Sequence, residues 1–384
     1  MKPQRSWDVV IIGAGPAGAA AARACVLGGL KTAVIEKHKL PRHKACSGII
    51  IPASAQILHD QFGAIPPKVR ANPDILKAMR MHFKSGRTFD VPLDGLSVHR
   101  ELFDEWLIHA SGADLFEETA FLSFTEQTDR VELVCQQERT REISLACQVL
   151  IAADGGASGT VREIDPVRWE RLPWYVALQE IYDRHVELET GYFHFFARPE
   201  ISVYLSAYVK DGMLVMEVVA RKGESARMNM ARFRDFLLGP QAASGFQPVR
   251  RLGCQIAYAG ALGSFCFGSG RVLIAGEASG LLNLFGEGIS SALASGNMAG
   301  MTAVEGIRQG VAPGGIYRER LEAVSSRTIA QYRMAEILSG RVPTFRWREG
   351  LQELPCRERA GLIKDLLGWF VTLKRAGRSP MRSH

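Results

Sequence analysis

Apolar residues fall into three patterns along this chain. Unbroken runs of strand length recur at Val9-Val10-Ile11-Ile12, Ala33-Val34-Ile35, Val149-Leu150-Ile151-Ala152 and Val272-Leu273-Ile274-Ala275. Runs of this kind suit strands buried on both faces of a sheet. Helical spacing appears over 53–63, over 228–238, and at Leu102, Phe103, Trp106, Leu107 and Ala110. Weak alternation over 69–92 predicts a hairpin turning at Ser85-Gly86, and 114–125, 130–136 and 142–153 read as strands. Between 175 and 220 four strand-like runs, 176–182, 192–196, 203–208 and 213–219, are separated by turns at Glu189-Thr190-Gly191, Arg198-Pro199 and Asp211-Gly212. They predict an antiparallel sheet distinct from the first domain, with its aromatic residues on one face and mainly in the core. The last 60 residues read as helical, and 362–374 has a wide apolar face with basic flanks, fit to dock on the body or lie on a membrane surface. The fold class expected is α/β, with a doubly wound nucleotide-binding domain, an inserted antiparallel-sheet substrate domain and a helical C-terminus.

The first apolar run carries the chemistry. It leads into Gly13-Ala14-Gly15-Pro16-Ala17-Gly18, then a helix of small residues, then a second apolar run that ends in Glu36. This is the βαβ dinucleotide fingerprint. Gly13 permits a tight turn, Gly15 lets the backbone approach a pyrophosphate, and Gly18 lets helix and strand pack closely. The helix start offers N–H groups and a positive dipole end to phosphates. Glu36 suits an unphosphorylated adenosine ribose, so FAD or NAD rather than NADP. The loop that follows, from Lys37 to Lys44, is basic and leads to Cys46, Ser47 and Gly48. It reads equally as lining a phosphate-rich groove or as a solvated charge run. Arg42 and Lys44 give Cys46 an electropositive setting. Arg100 stands at a strand-to-helix boundary, where it can reach a phosphate or pair with Glu101 or Asp104.

Two later stretches repeat the strand-then-acid theme. One apolar strand ends at Asp154-Gly155, and another ends at Gly276-Glu277 before the loop Gly286-Glu287-Gly288-Ile289, which opens a helix of Ala, Ser and Gly. Ligands bind at the carboxyl edge of such sheets.

Composition narrows the class. A chain of 384 residues with 47% hydrophobic and 23% charged content can bury a large core and suggests two connected domains. The formal charge of +7 is modest, and Lys374, Arg375, Arg378 and Arg382 at the end read as a solvated terminus rather than a nucleic-acid contact. Seven cysteines, an odd number without Cys-x-x-Cys spacing, point to reduced thiols in a cytoplasm and to no metal site. The start leaves no room for a signal peptide, and no apolar run reaches the length of a membrane span.

Together these motifs resemble the FAD-dependent oxidoreductases of the glutathione-reductase-like superfamily, in the aromatic-hydroxylase branch, and within it the geranylgeranyl reductase family. The resemblance runs over about residues 5 to 305 and rests on the fingerprint, the box Lys44-Ala45-Cys46-Ser47-Gly48, Arg100, Asp154-Gly155, and Gly276-Glu277 with its Gly-Glu-Gly-Ile loop. It implies FAD stretched across a discontinuous domain (1–70, 95–165 and 268–310), a substrate domain (71–94 and 166–267) and a helical region (311–384). By that likeness Gly13, Gly15, Ala17 and Gly18 hold the pyrophosphate and Glu36 the ribose. Lys37, Lys44, Cys46, Ser47, Gly48, Arg100, Asp154, Gly276 and Glu277 complete the cofactor contacts, and Gly288 and Ile289 offer N–H groups to the flavin. By that likeness Cys46 lies close to the flavin, and it reads as a catalytic proton donor or gate, or equally as a small residue filling space there.

The implied reaction is reduction of a carbon–carbon double bond in a hydrophobic, isoprenoid or lipid-like substrate. Electrons would come from transient NAD(P)H or a reduced partner protein. The rivals are a flavin monooxygenase of an aromatic or polyketide-like substrate and a flavoprotein electron carrier. The protein is expected in the cytoplasm, with peripheral membrane contact as an option. Three departures from the family pattern stand out: Glu277 replaces Asp, Ser47 replaces Gly, and the signature Tyr-x-Trp-x-Phe-Pro is absent, its nearest stretch being Tyr204-Leu205-Ser206-Ala207-Tyr208-Val209.

Overall fold

The computed structural model describes residues 5–328, apart from 83–85, 87, 185, 199, 240–246, 284–285, 323 and 326–327. The chain builds two eight-stranded sheets. It opens with β1 (Arg5–Ile12), α1 (Pro16–Leu27), β2 (Thr32–Ile35), β3 (Ile49–Ile50), α2 (Pro52–Phe62), β4 (Arg70–His82), β5 (Thr88–Val98) and α3 (Arg100–Ser111). Then come β6 (Asp114–Phe116), β7 (Thr119–Glu126), β8 (Val131–Gln137), β9 (Arg141–Ala152), α4 (Gly159–Ile164) and α5 (Pro166–Arg171). Next are β10 (Trp174–Tyr182), β11 (Tyr192–Phe196), β12 (Tyr204–Lys210), β13 (Met213–Arg221), α6 (Ala226–Leu238) and β14 (Arg250–Ala257). The two short strands β15 (Gly268–Ser269) and β16 (Val272–Ile274) precede the long helix α7 (Ile289–Gln309).

The first sheet has a parallel centre in the order β16-β9-β1-β2-β6. Its four apolar strands end level. Ile12 pairs with Ile35 on one side and with Ala152 on the other, and Ala152 pairs with Ile274. The residues after each strand therefore emerge along one edge. β7 and β8 form an antiparallel hairpin against the first half of β9. Position 114–125, expected as one strand, is broken at residues 117–118 because β6 joins the parallel sheet while β7 turns away to pair with β8.

α1 packs on this sheet through its alanines, with Pro16 to Ala22 all buried. α7 lies against α1 at backbone contact distance. A Cβ on Gly296 would sit 2.1 Å from the Ala17 carbonyl oxygen, and one on Gly300 would sit 2.5 Å from that of Ala21. Only glycine fits these positions.

The second sheet runs β14-β10-β13-β12-β11-β4-β5-β3. The expected hairpin over 69–92 is present as β4 and β5, and it forms one flank of this sheet. An antiparallel sheet was expected, but this one is mixed, since β11 pairs with β4 in parallel through Tyr192–Ala78 to Phe196–His82. The two strands come from distant parts of the chain, so no tight turn constrains their direction. Nor do the aromatics keep to one face. Tyr182 and Phe196 pack with Leu205, Met216, Met230 and Phe233 under α6, whereas Phe193 and Tyr208 pack with Leu76 and Val215 on the opposite side. Strand β14 and the short helices α4 and α5 carry too little periodicity to be read from the sequence. Residues 314–322 are helical; 362–374 lies outside the described residues, as does its expected amphipathic segment.

Candidate functional site

The level ends of β1, β2, β9 and β16 assemble the predicted motifs into one place. Gly13 turns sharply at φ +99°, and a Cβ there would meet the Ala153 carbonyl oxygen at 2.6 Å and the Asp154 Cα at 3.2 Å. Gly18 folds back so that a Cβ would lie 1.9 Å from the Gly13 oxygen. Gly15 caps α1 without any side-chain hydrogen bond, which leaves the helix's first N–H groups directed outward. Ala17 meets the late motif, since a Cβ on Gly276 would approach the Ala17 Cβ to 2.9 Å. The N–H of Gly276 donates to Ser295 Oγ at 2.9 Å, which fixes this turn against α7.

Glu36 is buried. Its Oε2 accepts from the Ala14 N–H at 3.1 Å and its Oε1 from the His38 N–H at 3.0 Å, so the carboxylate ties the glycine turn to the end of β2. Arg42 lies across this turn. Its Nε is 3.3 Å from Glu36 Oε2, its Nη1 is 3.1 Å from Asp104 Oδ2, and its Nη2 would lie 3.7 Å from a Cβ on Gly15. The basic loop is thus not merely solvated, although Lys37 is exposed and no described hydrogen bond ties it to the cluster.

Arg100 resolves in favour of Asp104. Its Nε and Nη2 donate to Asp104 Oδ1 at 3.2 and 3.0 Å, and Nη2 also donates to Oδ2 at 3.1 Å. Burial works against the Arg100 charge, but Asp104 and then Cys46 more than offset it, so its pKa is raised. Cys46 accepts the Gly48 N–H at 3.4 Å. Gly48 has φ +71°, and a Cβ there would collide with the Val98 oxygen at 2.2 Å.

Two partly buried acids each carry one buried, unused oxygen. Asp154 Oδ2 accepts the Thr160 N–H at 3.3 Å and the Thr160 hydroxyl at 3.2 Å, while Asp154 Oδ1 has no hydrogen-bond partner among the described residues. Glu277 lies against Gly156, where a Cβ would come within 2.3 Å of Oε1, and that oxygen has none among the described residues either. Burial raises the pKa of both; Lys44 opposes it at Glu277. Buried polar atoms in proteins are rarely left unpaired.

The start of α7 carries its own carboxylate. Glu287 accepts the Ser290 N–H at 2.8 Å and also draws on the Ile289 N–H, while Gly288 takes the cap position. The Ile289 N–H, expected to face a flavin, thus lies beside the Glu287 carboxyl group of its own loop, whose pKa burial raises.

The second sheet faces Cys46 with polar residues that the sequence reading did not assign. On β12, Tyr204, Ser206, Tyr208 and Lys210 alternate onto one face. Lys210 Nζ donates to the Ser47 carbonyl at 2.8 Å and to the Val98 carbonyl at 2.7 Å, joining this sheet to the Cys46 loop. Burial lowers its pKa, and Cys46 and Glu217 pull the other way. Glu217 of β13 is paired in register with Gln179 on one side and Ser206 on the other. It accepts from Gln179 Nε2 at 2.6 Å, Ser206 Oγ at 2.9 Å and the Tyr208 hydroxyl at 3.1 Å. Burial raises the Glu217 pKa against these three donors. Cys254 of β14 approaches the Ala45 carbonyl at 4.0 Å, a second tie to the loop. The available signal was an acid inside the apolar run 213–219 and the polar alternation of 204–210.

An uncapped helix start, a glycine turn with no room for side chains, a guanidinium over that turn and two partly buried acids with unpaired oxygens suit an extended dinucleotide with a diphosphate and hydroxyl-bearing linker. Known proteins agree. Residues 6–171 match the FAD binding domain family. Digeranylgeranylglycerophospholipid reductase 2 of Methanopyrus kandleri is 26% identical, over 79% of this chain and 78% of that protein. The crystal structure of a geranylgeranyl bacteriochlorophyll reductase-like protein from Thermoplasma acidophilum superposes with a TM-score of 0.77 at 19% identity, covering 87% of each chain. That of p-nitrophenol 4-monooxygenase from Pseudomonas putida superposes with a TM-score of 0.70 at 16% identity, covering 98% of this chain and 100% of the other.

Proposed function

We propose that this chain, an FAD-dependent oxidoreductase of the geranylgeranyl reductase type, reduces a carbon–carbon double bond in a hydrophobic substrate lodged between the Cys46 loop and the polar face of β10, β12 and β13. The observation that carries this reading is the place of Cys46, on the loop that joins Arg100 and Asp104 on the nucleotide side to Lys210 on the sheet side. Bound and reduced FAD supplies a hydride equivalent.

The chain's own residues do the rest. The Gly13–Gly18 turn and Arg42 hold the diphosphate. Asp154 and Glu277, through their unpaired oxygens, accept from the linker hydroxyls. The Cys46 thiol holds the proton that balances the hydride and delivers it to the second alkene carbon. Arg100 and Lys210 stabilise the thiolate left behind. The low identity to the Methanopyrus relative leaves the substrate's carbon skeleton to experiment, and electrons enter from NAD(P)H or a reduced partner protein.

Purified protein is expected to be yellow, with about one FAD per chain. After anaerobic photoreduction, an alkene panel is added and products are read by mass spectrometry. A product heavier by two hydrogens supports the reading. Incorporation of labelled oxygen after aeration would overturn it in favour of monooxygenation. Cys46→Ala should keep FAD and lose turnover.

A further inference from the structure

The signature Tyr-x-Trp-x-Phe-Pro, absent from this sequence, falls on β12, where Ser206 stands at the Trp position and Tyr208 at the Phe position. Both residues carry a hydroxyl, and both hydroxyls donate to the same carboxyl group, Glu217. Gln179 donates to it from the other flank at 2.6 Å and to the Tyr208 hydroxyl at 3.3 Å. Ser206, Tyr208 and Gln179 are buried. The opposite face of the same strands packs Leu178, Leu205, Met216 and Val218 under α6, with the buried Glu180 paired there to Tyr182 and Arg251. A buried polar network is costly unless fully paired. Glu217 Oε2 accepts from Ser206 alone among the described residues, which leaves room for one more hydrogen bond there.

We infer that Glu217, with Gln179, Ser206 and Tyr208, is a polar subsite in the substrate pocket that selects a substrate bearing a hydroxyl or carbonyl oxygen over a plain hydrocarbon chain. This rests on the reading that this face lines the substrate. A bound hydroxyl donates to the Glu217 carboxylate; a bound carbonyl accepts from its protonated form. Either way the oxygen fixes how far the chain slides along the sheet, and so which carbon lies over the reacting position.

The test uses FAD-loaded protein and three matched fifteen-carbon probes: farnesene, farnesol and farnesal. Each is titrated anaerobically, and binding is followed by perturbation of the bound flavin's absorption. Farnesol or farnesal should bind about tenfold more tightly than farnesene, the worth of one hydrogen bond to a buried partner. Farnesol above farnesal assigns the carboxylate form; the reverse assigns the protonated form. Glu217→Met, and separately the triple variant Glu217→Met with Ser206→Ala and Tyr208→Phe, should abolish the preference. The triple variant leaves neither hydroxyl unpaired if the single one fails to fold. Equal affinity for the three probes, preference for farnesene, binding of none, or a preference that survives the triple variant overturns the subsite. If the oxygen preference holds but no bound probe is reduced, the subsite stands and the reductase reading falls.

Discussion

Arg42 bonds to Glu36 across the glycine turn, Nε to Oε2 at 3.3 Å, so the residue expected to hold a ribose is itself held by the loop that follows it. The same guanidinium reaches Asp104 at 3.1 Å. Three elements that start and end far apart are thereby clamped around the first turn of α1. Arg42→Ala should leave the fold intact but weaken FAD by about tenfold or more, since a buried charge pair loses one partner beside the proposed diphosphate site. Fluorescence titration of the apoprotein with FAD reads the effect. Arg42→Lys should recover only part, because an ammonium cannot bridge both carboxylates in one plane.

Gly296→Ala tests the contact between α1 and α7. The added methyl would lie 2.1 Å from a backbone oxygen that cannot move aside cheaply. A loss of about 2 kcal/mol or more is expected, as for an overpacked core, read as a lower Tm together with weaker FAD binding. A Tm within a degree of the parent would show that the helices can separate at little cost.

Lys210→Met removes the donor shared by the Ser47 and Val98 carbonyls. Two carbonyls lose their partner, at about 1–3 kcal/mol, and the Cys46 loop loses its tie to the second sheet. Alkylation of Cys46, followed by mass spectrometry, should speed up several-fold. An unchanged rate would mean that Arg100 and the Cys254 contact suffice to hold the loop.

A pair of histidines makes the second sheet sensitive to acid. His82 Nε2 lies 2.9 Å from His194 Nδ1, and His194 Nε2 lies 3.1 Å from the Glu189 carbonyl. Burial, then His194 and Arg80, push the His82 pKa down from 6.5 to about 4, against a pull from Asp90; burial also lowers that of His194. Both rings are thus neutral in the fold, and the unfolded chain binds more protons between these values. Stability is fully present above about pH 6.5 and falls as pH drops toward 4. The slope should total about 1–2 kcal/mol once solvent screening at the half-exposed His82 is allowed for. Urea midpoints measured from pH 7.5 to 4.5 give the slope, and His82→Gln should flatten it.

The nucleotide half of the site was legible because its residues act through local geometry. A turn that admits only Gly13, a close approach at Gly18 and a strand end at Glu36 leave their mark within a few positions of one another. Asp154 and Glu277 were legible as repeats of the same strand-end theme. The half proposed to face the substrate was not. Gln179, Ser206, Tyr208 and Glu217 belong to three strands and meet only through cross-strand register, which no local period encodes. Arg42 was visible as charge, but its partner Asp104 lies on a helix whose packing the sequence does not specify. The parallel pairing of β11 with β4 was hidden for the same reason. Glu287, read as part of a loop, turns back to accept from the Ser290 N–H of the helix it precedes, a local bond with no period in the sequence.

The level ends of the four parallel strands also bear on how the molecule is made. Ile12, Ile35, Ala152 and Ile274 stand side by side in the sheet although the first and last are separated by more than two-thirds of the chain. Contacts between residues so distant form slowly and late. The dinucleotide cradle is therefore a product of complete folding rather than of its fingerprint alone, and a ribosome-bound chain that has not yet released β16 has the glycine turn but no Glu277 edge. Yellow colour in a preparation would report that β1 and β16 have found each other.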